Sequence, residues 1–306
     1  MECVCLPNVI TLPIIGFGPG IEEYSPKCIR RRTGILSIPG RAYNKLIRRP
    51  ICSKKYANAI SEAIRTGYRL IDYSAAYGNG SLIAKGIKNS GVHREDLILT
   101  TRVSNRAQFA GPDAVKKEFF SQLKGMNTDY IDIFMFHWPV TGCYEKTWQT
   151  MVELYREGYV KVLGVANCHE HHLEKLFYLT EERPFINQFE IHPLFTQKKL
   201  IDFCRKNNIQ PEAYTPVARF DDRLVRLPVL HKIADNYNKT VLQVVLRWHV
   251  QNKIIPVVRA MSPSHQKENF DIFDFQLSRE EMQIIDRINL NSRLRYDPDN
   301  CDFTIL

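Results

Sequence analysis

The 306-residue sequence predicts an α/β protein, a single-domain (β/α)8 TIM barrel with an N-terminal hairpin and a basic insertion after its first strand. Two observations support this prediction. Apolar runs typical of buried strands alternate with segments of helical periodicity, and eight such runs follow one another from Thr11 onward. Alternating strands and helices indicate a parallel sheet, and eight units close into a barrel with functional residues at the carboxyl ends of the strands. We therefore expect residues 1–306 to form one domain.

The first elements precede the regular part of the chain. After the hairpin, Thr11-Leu-Pro-Ile-Ile-Gly16 is predicted to be the first barrel strand. Gly16-Phe-Gly-Pro-Gly20 would let a ligand approach the backbone closely. Its spacing is not that of a dinucleotide-binding GxGxxG, and Pro19 lacks an N–H. Residues 21–55 then interrupt the alternation with several Pro and Gly turns, which predicts a long loop or small lid.

From Tyr56 onward the alternation is regular. A helix is predicted from Ala57 to Arg65, Gly67 ends it, and the second strand follows at Arg69. Further strands are predicted over residues 97–102, 131–137, 162–167, 185–190, 209–214 and 254–259. Further helices are predicted over 82–88 and 148–156, and after Pro112, His169, Gln197, Leu227 and Thr240.

Polar or glycine residues stand at the carboxyl ends of these strands. In chain order the ends offer Gly16, Asp72, Arg102, His137, Asn167, Gln188 with Glu190, Tyr214 and Arg259. A single polar residue at such a position most often only solvates the rim. A succession of seven polar ends favours one common site, because the ends of parallel strands meet on one face of a barrel.

Four side chains near this face could together protonate a carbonyl oxygen. Tyr77 follows Asp72 by five residues, and a phenol with a pKa of about 10 is a slow acid without a nearby positive charge. Arg102 could supply that charge while pairing with Asp72, and His137 could orient the substrate oxygen. Taken singly, His137 is equally typical of a satisfied core histidine, and Asp72 of a helix N-cap. As a set they predict carbonyl reduction by a nicotinamide cofactor.

The charge distribution indicates which classes of partner the protein could bind. Between Ile21 and Lys55 there are ten basic and two acidic residues, a surplus of eight that accounts for most of the net charge of +9. No zinc finger, RNP or helix-turn-helix pattern accompanies it, so we expect no nucleic-acid partner. A solvated loop or an anion-attracting rim is favoured instead.

Several other classes of protein are disfavoured. The first seven residues lack the basic and apolar regions of a secretion signal, and no run approaches the roughly 20 apolar residues of a membrane span. We therefore expect a cytoplasmic protein without a membrane partner. Eight cysteines lie scattered without a recurring CxxC, which favours reduced thiols over a disulfide framework. Cys3-Val-Cys5 has no Cys/His pair at zinc spacing, so no metal is expected.

Longer motifs give the chain a family resemblance. They are Gly67-Tyr-Arg-Leu-Ile-Asp72 with Tyr77-Gly-Asn79, Asp129-Tyr-Ile-Asp132 with His137-Trp-Pro139, Gly164-Val-Ala-Asn167, Asn187-Gln-Phe-Glu-Ile-His-Pro193, Ala213-Tyr-Thr-Pro216 and Lys267-Glu-Asn269. Over residues 8–20 and 56–306 the chain resembles the aldo-keto reductases, and Arg295-Tyr-Asp-Pro-Asp-Asn-Cys-Asp-Phe303 resembles the bacterial members in particular. The resemblance implies NADPH-dependent reduction of aldehydes or ketones.

The resemblance also assigns roles to residues. It implies Asp72, Tyr77, Arg102 and His137 as the catalytic set. It implies that the cofactor is bound by Asn167 and Gln188 at the nicotinamide carboxamide, by Tyr214 through ring stacking, and by Arg259, His265, Glu268 and Asn269 at the adenine and 2′-phosphate.

Six positions depart from the family pattern. They are Pro19 for threonine, Gly80 for glutamate, Arg102 for the catalytic lysine, Ala166 for the carboxamide-binding serine, Ala260 for serine and His265 for the second arginine. Arginine keeps the charge of lysine but not its compact geometry. The loss of one cationic anchor implies that NADPH is favoured modestly and that NADH is usable.

The sequence therefore predicts an NAD(P)H-dependent oxidoreductase that reduces an aldehyde, ketone or keto-sugar, with Tyr77 as proton donor. Its ten clustered cations favour an anionic substrate, and we expect a monomer or weak homo-oligomer. The alternative is a cofactor-binding barrel with little or no turnover, acting as a regulatory or partner-binding subunit through residues 21–55. Both alternatives predict cofactor binding, and they differ in whether bound NADPH is consumed.

Overall fold

The computed structural model describes residues 2–6, 10–20 and 49–305. The strands are β1 (Cys3–Cys5), β2 (Thr11–Pro13), β3 (Gly16–Phe17), β4 (Leu70–Asp72), β5 (Ile98–Val103), β6 (Ile131–Phe136), β7 (Val160–Ala166), β8 (Ile186–Glu190), β9 (Gln210–Tyr214) and β10 (Ile255–Val258). The α-helices in these ranges are α1 (Arg49–Thr66), α2 (Gly80–Ser90), α3 (Asn105–Ala110), α4 (Pro112–Met126), α5 (Tyr144–Arg156), α6 (Glu170–Leu179), α7 (Lys198–Lys206), α8 (Asp222–Val225), α9 (Pro228–Asn236), α10 (Val241–Gln251), α11 (Pro263–Phe270) and α12 (Arg279–Asp286).

Eight parallel strands close into a barrel in the order β10-β3-β4-β5-β6-β7-β8-β9. The barrel is completed by β10, which pairs with β9 at Ile255↔Glu212 and with β3 at Val257↔Gly16. The predicted (β/α)8 fold is confirmed. Every strand that follows the first helix lies within a few residues of its predicted position, because each combines an apolar run with flanking turn residues.

The position of the first barrel strand was predicted wrongly. Thr11–Pro13 is the second strand of the N-terminal hairpin, where Cys5 pairs with Thr11 and Cys3 with Pro13 in antiparallel register. The barrel strand is the two-residue Gly16–Phe17. Proline has no N–H to donate, so Pro13 suits an edge of a two-stranded ribbon better than a strand paired on both sides.

The extent of the predicted insertion also needs correction. Helix α1 begins at Arg49, inside the segment 21–55 that was predicted to be irregular. A proline at position 50 is tolerated there, because the N–H groups of the first helical turn have no partner within the helix. Residues 21–48 lie outside the described part of the chain. The long loop or small lid predicted there, and the preference for anions predicted from its cations, therefore stay predictions.

The helices pack closely around the barrel. A Cβ atom added at Gly86 on α2 would lie 2.6 Å from Ile60 Cβ on α1, so glycine is required for this contact. Helices α3, α8, α11 and α12 were not predicted from the sequence. The last of these carried a readable signal, since Ser278 and Glu281 form a reciprocal capping box at its start. Among the described residues, no helix has the length and apolar character needed to cross a bilayer.

Candidate active site

The ends of β4 and β5 bring a carboxylate and a guanidinium together. Asp72 and Arg102 are only 7% and 1% exposed, and Arg102 Nη2 lies 2.6 Å from Asp72 Oδ1. Arg102 Nη1 donates to the Tyr73 carbonyl at 3.0 Å. Both terminal nitrogens of the Arg102 guanidinium are thereby directed at oxygens of Asp72 and Tyr73, at the end of β4. The Asp72 carboxylate is an ion-pair partner in this arrangement, and its alternative role as a helix N-cap is not observed, since Asn79 precedes α2.

Tyr77 reaches the same face through a single 3-10 turn. The Ser74 hydroxyl accepts from Ala76 N at the start of this turn, and Gly78 ends it in the left-handed conformation with φ 69°. The Tyr77 ring meets the His137 ring edge-on, with 6.3 Å between centroids. Burial raises the pKa of Tyr77, and Arg102 opposes this shift by favouring the phenolate.

His137 follows β6 and is half-buried. Burial and the positive charges of Arg102 and Arg295 lower the pKa of His137 to about 3, so its imidazole is neutral near pH 7. Its Nδ1 lies 3.4 Å from the Ser74 hydroxyl. A neutral imidazole cannot supply the proton for reduction near pH 7. It can donate one hydrogen bond, and the Tyr77 phenol is a second group here with a proton to donate.

A buried network extends below the Asp72–Arg102 pair. Gln188 Oε1 accepts from Arg102 Nη2 at 2.6 Å, and Gln188 Nε2 lies 3.4 Å from Asp72 Oδ2 and donates to Glu212 Oε1. Glu212 is fully buried, and burial together with the charge of Asp72 raises its pKa to about 8. The amide of Gln188, assigned by resemblance to the cofactor, is therefore engaged with the network in this structure.

Glu212 was missed by sequence reasoning, which considered only the residues at strand ends. A usable signal was present. Side chains two residues apart on a strand point to the same face, and Glu212 precedes Tyr214 by two positions on β9. A glutamate facing the interior of a barrel, one layer below a rim tyrosine, is a buried titratable group.

Asn167 and Tyr214 lie on the rim next to His137. Asn167 adopts a left-handed backbone conformation with φ 61° and donates from Nδ2 to the His137 carbonyl at 2.9 Å. The Tyr214 hydroxyl donates to Asn167 Oδ1 at 2.6 Å. These contacts link Asn167 to the His137 backbone and Tyr214 to Asn167.

The residues assigned to the adenine end lie on the loop after β10 and on α11. Arg259 and His265 are exposed, and Ser262 caps α11 by accepting from His265 N at 3.3 Å. Glu268 accepts from the Thr240 hydroxyl at 3.0 Å, while Asn269 is half-buried on the same helix. Within this group, Arg259 acts on the candidate catalytic residues, because its positive charge opposes the rise in the pKa of Tyr77.

A cluster of three histidines and one aspartate lies at the start of α6, with ligand atoms within 4.8 Å of one another: His169, His171, His172 and Asp299. His169 Nε2 lies 3.3 Å from Arg293 Nη2, which can only donate, so His169 Nδ1 carries the hydrogen directed at Asp299. His172 Nδ1 accepts from His169 N, so its Nε2 also carries a hydrogen. In this arrangement the Asp299 carboxylate links the C-terminal segment to the start of α6.

Comparison with known proteins identifies the family. The aldo/keto reductase family model matches residues 44–290. The uncharacterized oxidoreductase YtbE of Bacillus subtilis (strain 168) is 42% identical over 250 residues, covering 80% of this chain and 88% of that protein. The glyoxal reductase of the same organism is 39% identical over 245 residues, covering 80% of this chain and 87% of that protein.

A solved structure agrees with these relatives. The crystal structure of an aldo-keto reductase from Bombyx mori in complex with NADP superposes with a TM-score of 0.80 and 28% identity, covering 97% of this chain and 96% of that chain. The expected resemblance is confirmed both by sequence and by fold. The chain belongs to the aldo/keto reductase family of oxidoreductases.

Proposed function

We propose that this protein reduces small aldehydes or ketones to alcohols with NADPH, and that Tyr77 donates the proton. The observation that carries the proposal is the group formed by the neutral His137, the Tyr77 phenol and the buried Asp72–Arg102 pair. Support comes from the glyoxal reductase of Bacillus subtilis and from the NADP complex of the Bombyx mori enzyme.

The residues present fit a nicotinamide dinucleotide. Thr215 Oγ1, next to Tyr214, is buried and makes no hydrogen bond within the described residues, which suits a polar group of a ligand. A Cβ atom at Gly20 would lie 3.3 Å from Arg259 Nε, so glycine leaves room beside this guanidinium. The N-terminus of α11 follows Arg259 and can favour a phosphate. Tyr214, Asn167 and Arg259 would hold the nicotinamide and the phosphate, and Gln188 would contribute only by leaving its present bonds.

NADPH, when bound, supplies the hydride that adds to the carbonyl carbon. The electron pair of the carbonyl π bond moves to the oxygen, which takes its proton from the Tyr77 hydroxyl. Arg102 stabilises the phenolate that remains, and Asp72 keeps this guanidinium paired. The Ser74 hydroxyl can donate to His137 Nδ1, which leaves Nε2 with a hydrogen to orient the substrate oxygen.

We further propose that the substrate carries a negative charge. Arg295 is exposed on the C-terminal segment, and its positive charge contributes to the lowered pKa of His137. Its backbone N–H and that of Leu294 donate to the buried Glu190 carboxylate at 2.9 and 2.7 Å, which fixes this segment beside the rim. The sequence-based prediction that the ten basic residues of segment 21–55 favour an anionic substrate agrees with this proposal.

The test is a screen of NADPH and NADH oxidation over neutral and anionic aldehydes, ketones and keto-sugars. The proposal expects consumption of cofactor with at least one carbonyl class and higher kcat/KM for the anionic members. A protein that binds NADPH but consumes none with any carbonyl would instead support the alternative of a regulatory barrel.

The cofactor preference can be changed at one position. We expect His265→Arg to increase the preference for NADPH over NADH, because it adds a permanent cation near Arg259. A charge-assisted hydrogen bond contributes about 1.5 to 3 kcal/mol, which corresponds to roughly one to two orders of magnitude in the ratio of dissociation constants. The ratio is measured by fluorescence titration of both cofactors. Lys267→Arg, which keeps the charge of an exposed residue on the same helix, serves as control. An unchanged ratio in His265→Arg would remove this residue from the phosphate site.

A further inference from the structure

Glu212 is a buried titratable group that the proposed reaction does not use directly. The register of β9 places it opposite Gln188 on β8 and Ile255 on β10. Its Oε1 accepts from Gln188 Nε2, and its Oε2 is buried without a hydrogen-bond partner among the described residues. The charged groups that act on it are Asp72 and Arg102.

The charges of this cluster do not balance if both carboxyl groups are ionised. Asp72, Arg102 and Glu212 are all almost completely removed from water. One guanidinium can neutralise one carboxylate, and a second carboxylate would leave a net negative charge in a medium of low dielectric constant. A proton on Glu212 makes the cluster neutral. The raised pKa of Glu212, about 8, agrees with this assignment.

The hydrogen bonds connect Glu212 to the cation. Because Gln188 Nε2 donates to Glu212, the other end of the amide, Oε1, faces Arg102 and accepts from Nη2 at 2.6 Å. Without an acceptor at position 212, the Gln188 amide would lose its bond to Glu212 and would be held in this orientation only by its contacts with Arg102 and Asp72. The same Nη2 group pairs with Asp72, so the orientation of Gln188 bears on the geometry of the ion pair.

We propose that Glu212 is a positioning residue for carbonyl reduction, which rests on the proposed function: its proton keeps the buried cluster neutral, and through Gln188 it fixes Arg102 beside Asp72. Loss of this proton in alkaline solution places a second negative charge near Arg102. The field of the guanidinium at Tyr77 is then partly cancelled, and the phenolate left by proton donation is less stable. Reduction therefore slows when Glu212 ionises.

The first test is the pH profile of kcat for carbonyl reduction in the native enzyme, in Glu212→Gln and in Glu212→Asp. The native profile is expected to fall above about pH 8. Glu212→Gln keeps the shape and the acceptor for Gln188 but cannot ionise, so its profile should stay level through this range while the dissociation constant of NADPH is unchanged. Glu212→Asp retains a titratable carboxyl and should keep an alkaline decline, with lower kcat at every pH. Identical native and Glu212→Gln profiles would overturn the proposal.

The second test needs no turnover, so it separates failure of this inference from failure of the proposed function. The folded-state pKa of Glu212 is raised from 4.5 to about 8, so its ionisation costs stability as pH rises through that interval. Glu212→Gln lacks this cost. Its Tm relative to the native protein should therefore increase from pH 5 to pH 8.5. A Tm difference that stays constant with pH would show that Glu212 is not protonated in the folded protein and would overturn the proposal.

Discussion

Replacing Tyr77 by phenylalanine is expected to abolish carbonyl reduction while leaving NADPH binding nearly unchanged. The substitution removes the hydroxyl that we propose as the proton donor and preserves the ring that packs edge-on against His137. General acid catalysis contributes about 10² to 10⁴ in rate, so kcat should fall by at least this factor. His137 cannot take over the role, because burial and neighbouring cations keep its imidazole neutral.

Tyr73→Phe is the matched control for this variant. Tyr73 is a buried phenol whose ring lies 6.2 Å from that of Tyr77, but its hydroxyl contacts the Asn79 and Gly80 backbone. The Tyr73→Phe variant should keep an activity within a few fold of the native value, because the loss of one hydrogen bond usually changes the free energy only modestly. Parallel losses of binding and turnover in Tyr77→Phe would argue against proton donation by this residue.

The second large effect is expected at Arg102. Arg102→Met removes a guanidinium that bonds Asp72, Gln188 and the Tyr73 carbonyl, and it leaves the Asp72 carboxylate buried without its cation. Breaking a buried ion pair from one side costs about 3 to 5 kcal/mol of stability. We expect a lower free energy of unfolding in urea. We also expect a loss of reduction, because the phenolate that the proposed proton donation leaves on Tyr77 loses the cation that acts on it most strongly.

Arg102→Lys separates charge from geometry. Lysine is the residue that the resemblance implies at this position, and it keeps a positive charge beside Asp72, so it should preserve activity or raise it. It gives up the fork that reaches Tyr73 and Gln188 together. If Arg102→Met kept native kcat, the cation would have no part in the reaction, whatever the change in stability.

The barrel and the approximate positions of its strands could be predicted because each strand is an apolar run bounded by turn residues. The prediction was wrong where that signal is ambiguous. Thr11–Gly16 is as apolar as a barrel strand, and only the missing N–H of Pro13 indicates that its first half forms the hairpin. Helix α1 was predicted to begin too late, because the proline at position 50 resembles a loop signal.

The candidate site was predicted less completely. The strand-end rule brought Asp72, Arg102 and His137 to one face, where the structure also places them. It could not show which hydrogen-bond partners a buried amide would have, so the bonds of Gln188 to Arg102 and Glu212 were not predicted. Such bonds depend on the register between distant strands, and a single sequence does not contain that register.

The most direct measurement for the central claim is NADPH oxidation by the native protein with an anionic and a neutral small aldehyde, run beside Tyr77→Phe. The proposed function predicts one alcohol formed for each NADPH consumed by the native protein. It also predicts that Tyr77→Phe binds NADPH with the native dissociation constant and turns over at least about 10²-fold more slowly. Native turnover no faster than that of Tyr77→Phe, with NADPH bound to both, would contradict proton donation by Tyr77 and the account of the site built on it.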